Sequence, residues 1–273
     1  MRESQGLPAK ANILGVGISV TDYAEVVRCV LAAAEARRSL LVSACAVHVL
    51  MEAIDDPSFG AVLNRFDIVA PDGQPVRWGL YWTRQAHLSE RVYGPTLMLR
   101  VCEAAARAQL PVYLYGSRAD TLQRLAASLM ACAPGLRIAG SRVGRFRGLS
   151  DREKADDAQA IVESGARIVL VGMGAPRQDW WIFHMRDRIP LPMLAVGAAF
   201  DFHAGLVAQA PPALQRAGLE WLFRLTREPK RLWRRYLTVT PRYLPLIACQ
   251  ALKLRTFPQA TRLDDAEQRP CPG

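Results

Sequence analysis

The sequence predicts an α/β fold: a Rossmann-like parallel sheet with helices on both faces, plus a basic C-terminal helical appendage. Two observations carry the sheet. Apolar runs of about five residues recur between longer segments with helical spacing, the mark of strands buried on both faces and joined by crossover helices. Those runs also end in Gly, Pro or Asp turns, as at Pro71-Asp72-Gly73 and Gly172-Met173-Gly174. A third observation carries the appendage. Between Arg216 and Arg255 ten basic residues face only Glu220 and Glu228, interleaved with Trp221, Phe223, Trp233, Tyr236 and Tyr243.

In chain order, Ala11–Val20 is a short apolar segment with two glycines, read as a strand and turn. Asp22–Arg38 is Ala-rich with helical spacing, and Asp22 is a suitable N-cap. Leu40–Cys45 reads as a strand, and His48–Asp55 as a helix stopped near Pro57. Phe66–Ala70 is a strand, Thr96–Ala108 a helix and Pro111–Tyr115 a strand that runs into Gly116-Ser117 and a helix over Asp120–Ala131. Arg137–Ala139 is strand-like, Asp151–Ser164 a polar-faced helix, Arg167–Val171 a strand, Arg177–Arg188 a helix and Pro192–Val196 a last strand. The expected division is an α/β catalytic domain over 11–205, a membrane- and substrate-binding appendage over 206–255 and a frayed tail over 256–273.

Composition sets bounds on function. The chain has 273 residues and is 51% hydrophobic, enough for a sizeable core. Its formal net charge of +10 favours polyanionic partners: nucleic acid, anionic lipid or phosphorylated substrates. The six cysteines lack CxxC spacing and the four histidines are scattered, so no zinc site can be read from them and reduced cytosolic thiols are expected. Met1–Lys10 is polar, without the apolar stretch of a signal peptide. No apolar run approaches the ~20 residues that span a bilayer, so any membrane contact is expected to be peripheral.

In a doubly wound sheet ligands bind beyond the carboxyl ends of the strands. The informative residues are therefore Ser43–Cys45, Pro71–Gly73, Gly116–Arg118, Gly172–Gln178 and Gly197–Asp201. A carboxylate at Asp72, in a cleft, can take a proton from a sugar hydroxyl; an Asp-Gly turn is the plainer reading. Gly116, at a strand-to-helix junction, lets backbone amides approach a phosphate, though the junction is neither a GxGxxG nor a Walker loop. Gly172 and Gly174, followed by Pro176, leave amides facing a cleft, and Arg177 and Gln178 add donors for phosphate or ribose oxygens; an ordinary βα loop is the rival. Asp201 is either a sugar ligand or a cap. Cys45 with His48 lacks a third, orienting group, so a nucleophilic pair is not read there. His184 and His203 are not read as ligands.

The basic aromatic tail fits nucleic acid, an anionic membrane surface or a solvated helix packed by its aromatics. Leu222, Leu225, Leu232 and Leu237 add an apolar face that favours the membrane, and no nucleic-acid partner is expected.

Taken together these segments resemble the WecG/TagA/CpsF glycosyltransferases, glycosyltransferase family 26. The resemblance rests on residues 66–73, Glu90-Arg91-Val92-Tyr93-Gly94, residues 112–116, residues 171–179, residues 196–205 and the closing Gly218-Leu219-Glu220-Trp221-Leu222-Phe223-Arg224-Leu225 with Glu228-Pro229-Lys230-Arg231. It implies an inverting transfer from a UDP-sugar donor to a polyprenyl-diphosphate-linked saccharide, with no cofactor and no bound metal. It further implies that Asp72 is the general base and that Ser43, where the family usually has Thr, lies near the acceptor. Gln178 would contact the donor. Arg216, Arg224, Arg227 and Arg231 would bind diphosphate and close over the site, with Arg91 a further substrate-binding candidate. Without a metal, guanidinium groups must stabilise the leaving diphosphate. The location implied is cytoplasmic, peripheral on the inner face of the cell membrane; a homo-oligomer is left open. Two departures stand out. Cys45 replaces a common Asn, which keeps a catalytically silent nucleotide-binding subunit as an alternative. Residues 71–75 and 93–95 look nearer the exopolysaccharide branch that uses glucose-like hexoses.

Overall fold

A computed structural model describes residues 6–211, 214, 220–261, 263 and 269–272, with the backbone alone at 231, 234–236 and 272. The elements begin with an antiparallel hairpin, β1 Lys10–Ile13 and β2 Val16–Ser19, where a single strand and turn were expected. Then follow α1 Tyr23–Glu35, β3 Leu40–Cys45, α2 Val47–Asp55, α3 Pro57–Asn64, β4 Ile68–Pro71, α4 Gln74–Trp82 and α5 Gly94–Arg107. Next come β5 Val112–Tyr115, α6 Ala119–Cys132, β6 Ile138–Arg142, β7 Gly148–Leu149, α7 Asp151–Glu163, β8 Ile168–Val171, α8 Arg177–Met185, β9 Pro192–Ala195 and α9 Ala199–His203. The C-terminal segment holds α10 Glu220–Arg227, α11 Pro229–Arg234, a π-helical turn Arg235–Val239, α12 Thr240–Ala251 and β10 Cys271–Pro272.

Six strands form one parallel sheet in the order β4-β3-β9-β8-β5-β6. Alternate residues feed two core layers, as the two-residue period of a strand requires. Leu41, Cys45, Val169, Val171 and Met193 pack with α2, α3 and α8, while Leu40, Val42, Ile168, Leu170 and Leu194 pack with α1, α5 and α6. That two-sided burial is why these strands read as continuous apolar runs.

Local signals start the helices where the sequence says they should. Asp22 accepts the Glu25 N–H at 2.8 Å and caps α1. Ser150 and Glu153 cap each other's backbone at the start of α7. Three helices were not anticipated: α3, α4 and the short α9, which takes the place of the loop expected after the last strand. α3 opens on an Asp56 cap followed by Pro57. α4 opens directly after Gly73, with Pro75 in its first turn, where a missing N–H costs nothing.

The appendage is more deeply joined to the domain than its composition suggests. Tyr243 and Ile247 of α12 are fully buried in the same core as the sheet, and the Tyr243 hydroxyl donates to the Pro75 carbonyl at 2.8 Å. Gln250 receives the Leu14 N–H and donates to the Asn12 carbonyl. The tail expected to fray also packs back where it is described. Asn12 donates to the Phe257 carbonyl at 2.7 Å, Arg269 pairs with Asp56, and β10 pairs with β7 and buries Cys271. Among the described residues no helix is long and apolar enough to cross a membrane.

Candidate active site

The loops after β3, β4, β5, β8 and β9 meet α10–α12 around one cleft of about 1100 Å³ at the carboxyl edge of the sheet. Asp72 follows β4 and is half-buried in this cleft. Its N–H donates to the Cys45 carbonyl at 3.1 Å, which fixes its backbone against the end of β3. The Gly94 N–H, first in α5, donates to Asp72 Oδ2 at 3.3 Å. A side chain at Gly94 would press on the Ala44 Cβ and the Asp72 carboxyl, so glycine lets the positive end of α5 approach the carboxylate. Burial pushes the Asp72 carboxyl up to about 7, against the pull of Arg91, Arg224 and the Gly94 amide; Glu220 pushes with burial.

Arg91 lines the cleft, pairs with Glu220 Oε2 through Nη2 at 2.5 Å and lies over the Tyr93 ring at 4.4 Å. Arg224 lines it from α10, its guanidinium 5.1 Å from the Phe202 ring centre. Gln178 is 3% exposed and accepts the Gly174 N–H at 3.2 Å, and both border the cleft beside Gly172. Asp201 lines it as well. Seven of the expected residues, Asp72, Arg91, Gly172, Gly174, Gln178, Asp201 and Arg224, therefore share one cavity.

Others do not. Ser43, expected beside the acceptor, is 1% exposed and does not line the cleft; its hydroxyl donates to Asp179 Oδ1 at 2.6 Å. Asp179 is itself fully buried and its carboxyl is raised to about 7 by burial, so Ser43 serves a buried carboxyl and not an open subsite. Gly116 also lies outside the lining. Its φ of +102° requires glycine, and a Cβ there would sit 2.6 Å from Met173 and 3.0 Å from the Gly172 backbone, so its role is to let two loops touch. Gly172 combines a place in the cleft with close packing: a Cβ would stand 2.4 Å from the Phe200 ring. Arg177 points out to solvent, 6.0 Å from the Phe146 ring that borders the cleft. Arg227 is exposed over Phe223. Arg216 lies outside the described residues, as does the side chain of Arg231.

Several lining residues carried no expectation. Ser117, Arg118, Asp120 and Thr121 sit at the start of α6, and Tyr93, Trp78 and Glu220 close other walls. Ser117 and Arg118 stood in the window after β5, a signal that names the place and not the residue. Cys45 is buried outside the lining, and burial raises its thiol well above the ordinary range, which removes it further from nucleophilic chemistry. The His203 ring bonds the Pro95 carbonyl at 3.0 Å. No group of three or more His, Cys, Asp or Glu among the described residues is placed to hold a metal ion.

A parallel sheet with a carboxylate of raised pKa and two guanidinium groups at its carboxyl edge defines a group-transfer site suited to an anionic leaving group. Residues 11–257 match the Glycosyl transferase WecG/TagA/CpsF family. An N-acetylglucosaminyldiphosphoundecaprenol N-acetyl-beta-D-mannosaminyltransferase of Bacillus spizizenii (strain ATCC 23059 / NRRL B-14472 / W23) is 31% identical, over 72% of this chain and 74% of its own length. A protein of the same name from Bacillus subtilis (strain 168) is 27% identical over 81% of this chain and 84% of its own. The chain belongs to the WecG/TagA/CpsF family and is a glycosyltransferase.

Proposed function

We propose that this protein is an inverting transferase that moves a hexose or N-acetylhexosamine from a UDP-sugar to a polyprenyl-diphosphate-linked saccharide at the membrane surface, in cell-surface or exopolysaccharide synthesis. The observation that carries the reading is the placement of Asp72, its carboxyl raised to about 7 by burial, in the same cleft as Arg91 and Arg224. The relatives' names support a diphosphate-linked polyprenyl acceptor.

In this mechanism the acceptor hydroxyl gives its proton to Asp72 as its oxygen attacks the anomeric carbon of the donor. The bond from that carbon to the phosphate oxygen breaks, and the nucleoside diphosphate leaves with the electron pair. A base with a pKa near 7 is half-ionised at neutral pH and matched to partial proton transfer in the transition state. Arg91 and Arg224 meet the charge that develops on the leaving diphosphate, and fixed guanidinium groups do so at no reorganisation cost. The start of α6, with Ser117 and Thr121, offers hydroxyls and backbone amides for a nucleotide. Protein cations fill the role a metal would take, so turnover is expected to survive EDTA.

The test is a donor panel: UDP-glucose, UDP-galactose, UDP-N-acetylglucosamine, UDP-N-acetylmannosamine and UDP-glucuronate, each with a lipid-linked sugar extract, and UDP release as the readout. Acceptor-dependent release from one donor, lost by about a hundredfold or more in Asp72→Asn while UDP still binds, supports the reading. Release from no donor across matched acceptors, with UDP bound normally, overturns it in favour of a silent nucleotide-binding subunit.

A further inference from the structure

Glu220 is an anion in a cleft whose cations suit phosphate, and the mechanism above gives it no task. A second negative charge beside a departing diphosphate is unfavourable in a site of low dielectric. Yet Glu220 is 7% exposed, its carboxylate takes Arg91 Nη2 at 2.5 Å, and the Tyr93 hydroxyl is a further hydrogen-bond partner. Arg91 in turn stacks on the Tyr93 ring. Glu220 opens α10 and is the residue of that helix that is buried. Arg224 lies one turn along, on the same side, and its Nε is buried without a hydrogen-bond partner among the described residues. Among its described contacts α10 thus meets the domain through Glu220, paired with Arg91, and Arg224, set against the Phe202 ring.

We propose that Glu220 is a positioning residue: its ion pair with Arg91 docks α10 onto the catalytic domain, fixes Arg91 in the cleft and brings Arg224 to the same cavity as Asp72. Such a pair gives little net stability, since both ions lose water. Removing one partner, however, strands a buried charge, so the docked geometry is strongly preferred over any nearby arrangement. The specificity is directional. Arg91 lies in the loop between α4 and α5, whose Val92 N–H donates to the Pro71 carbonyl at 3.0 Å, so the pair ties the C-terminal helix to the end of the strand beside Asp72.

The charged and titratable groups that act on or respond to Asp72 are Arg91, Arg224, Glu220, Tyr93, Tyr23 and Cys45, with the Gly94 amide donating to it. Glu220 raises its proton affinity; Arg91 and Arg224 lower it. Glu220→Gln keeps shape and hydrogen-bonding capacity but removes the anion and leaves Arg91 uncompensated. Both changes favour the Asp72 carboxylate, and Arg224, whose withdrawal as α10 loosens would act the other way, is the weakest of these influences, so the Asp72 titration moves down.

The kinetic arm of the test rests on the transferase reading; the other two do not. First, the Asp72 carboxyl carbon is followed by NMR against pH, assigned with Asp72→Asn. Glu220→Gln is expected to lower its midpoint by roughly one pH unit. Second, hydrogen exchange over residues 220–227 is expected to accelerate in both Glu220→Gln and Arg91→Gln. Third, the acid limb of kcat/KM is expected to move to lower pH together with the NMR midpoint, while the plateau falls. Glu220→Asp, which keeps the charge on a shorter arm, is expected to hold the Asp72 midpoint near the wild-type value and still speed exchange; it replaces Glu220→Gln if that variant does not fold. An unmoved Asp72 midpoint with unchanged exchange overturns the proposal, even if turnover falls. If the wild-type protein turns over no donor, the transferase reading fails and the first two arms still decide the role of Glu220.

Discussion

As the proposed base, Asp72 would tie catalysis to stability. Its folded-state pKa of about 7 lies above the ordinary 3.8, so the unfolded chain ionises first as pH rises. Below about pH 4 both states are protonated and the group costs nothing; the cost grows as pH climbs toward 7 and is constant above it. Two outcomes are expected. The kcat/KM of the wild-type enzyme rises through about pH 7 to a plateau, because only the carboxylate accepts a proton. Asp72→Asn gains thermal stability over wild type from pH 4 to pH 7 and no more beyond it; a stability difference independent of pH would mean the carboxyl is not perturbed. The buried pair of Ser43 and Asp179 gives a different test. Asp179 Oδ2 has no partner among the described residues, and Ser43 supplies a hydrogen bond to Oδ1. Ser43→Ala is expected to cost about 1–3 kcal/mol in urea unfolding. The loss widens above about pH 7, where Asp179 must carry its charge without that donor. An acceptor-binding role for Ser43 would instead raise the KM for acceptor and leave the unfolding midpoint in place.

At the scale of elements, most of what could be read locally was read and what depended on distant partners was not. The parallel strands were legible because burial on both faces leaves an uninterrupted apolar run. The cap of α1 was legible because Asp22 acts on a residue three positions away; the equally local capping box of Ser150 with Glu153 at α7 carried no expectation. α4 was hidden because Pro71-Asp72-Gly73-Gln74-Pro75 spells a turn, and the same proline that suggests a stop is welcome in a first turn. Gly116 and Gly172 were read as phosphate-facing because a strand–glycine–helix junction serves equally for close packing and for anion binding. Only the neighbours, Met173 and Phe200, distinguish the two. Gly172→Ala separates them by experiment. Its Cβ would stand 2.4 Å from Phe200, so the loop after β8 must shift, at about 1–3 kcal/mol. Lowered thermal stability in the absence of any ligand is expected; weaker nucleotide binding in a protein as stable as wild type would assign Gly172 to binding alone.

For the whole molecule, the charge excess announced a surface and could not say how it is mounted. Of the ten basic residues between Arg216 and Arg255, the six with described side chains form no uniform patch. Arg242 pairs with Asp55, Arg224 turns into the cleft, and Arg227, Lys230, Lys253 and Arg255 remain exposed. Exposed apolar side chains accompany them on α10–α12 and the residues after it: Trp221, Leu222, Trp233, Leu237, Leu244, Leu252 and Leu254. The sheet-bearing part of the chain adds Trp78, Tyr81 and Trp82 on α4, with Trp78 and Trp82 stacked at 6.0 Å. α12 packs against α4 through Tyr243, so these two helices belong to one body, and Trp78 and Leu244 border the same cleft. Two terms should therefore add on an anionic bilayer: a Coulomb term screened by salt and an interfacial term from Trp and Leu that is not. The protein is expected to cosediment with vesicles containing anionic lipid, to lose part of that binding in about 0.5 M salt and to keep the rest. Lys253→Ala with Arg255→Ala should weaken the salt-sensitive part, and Trp82→Ser with Leu237→Ser the salt-resistant part. Equal binding to zwitterionic vesicles would leave the interfacial term alone, and complete release by salt the Coulomb term alone; no binding to either vesicle would detach the cleft from the membrane surface on which the proposed acceptor lies.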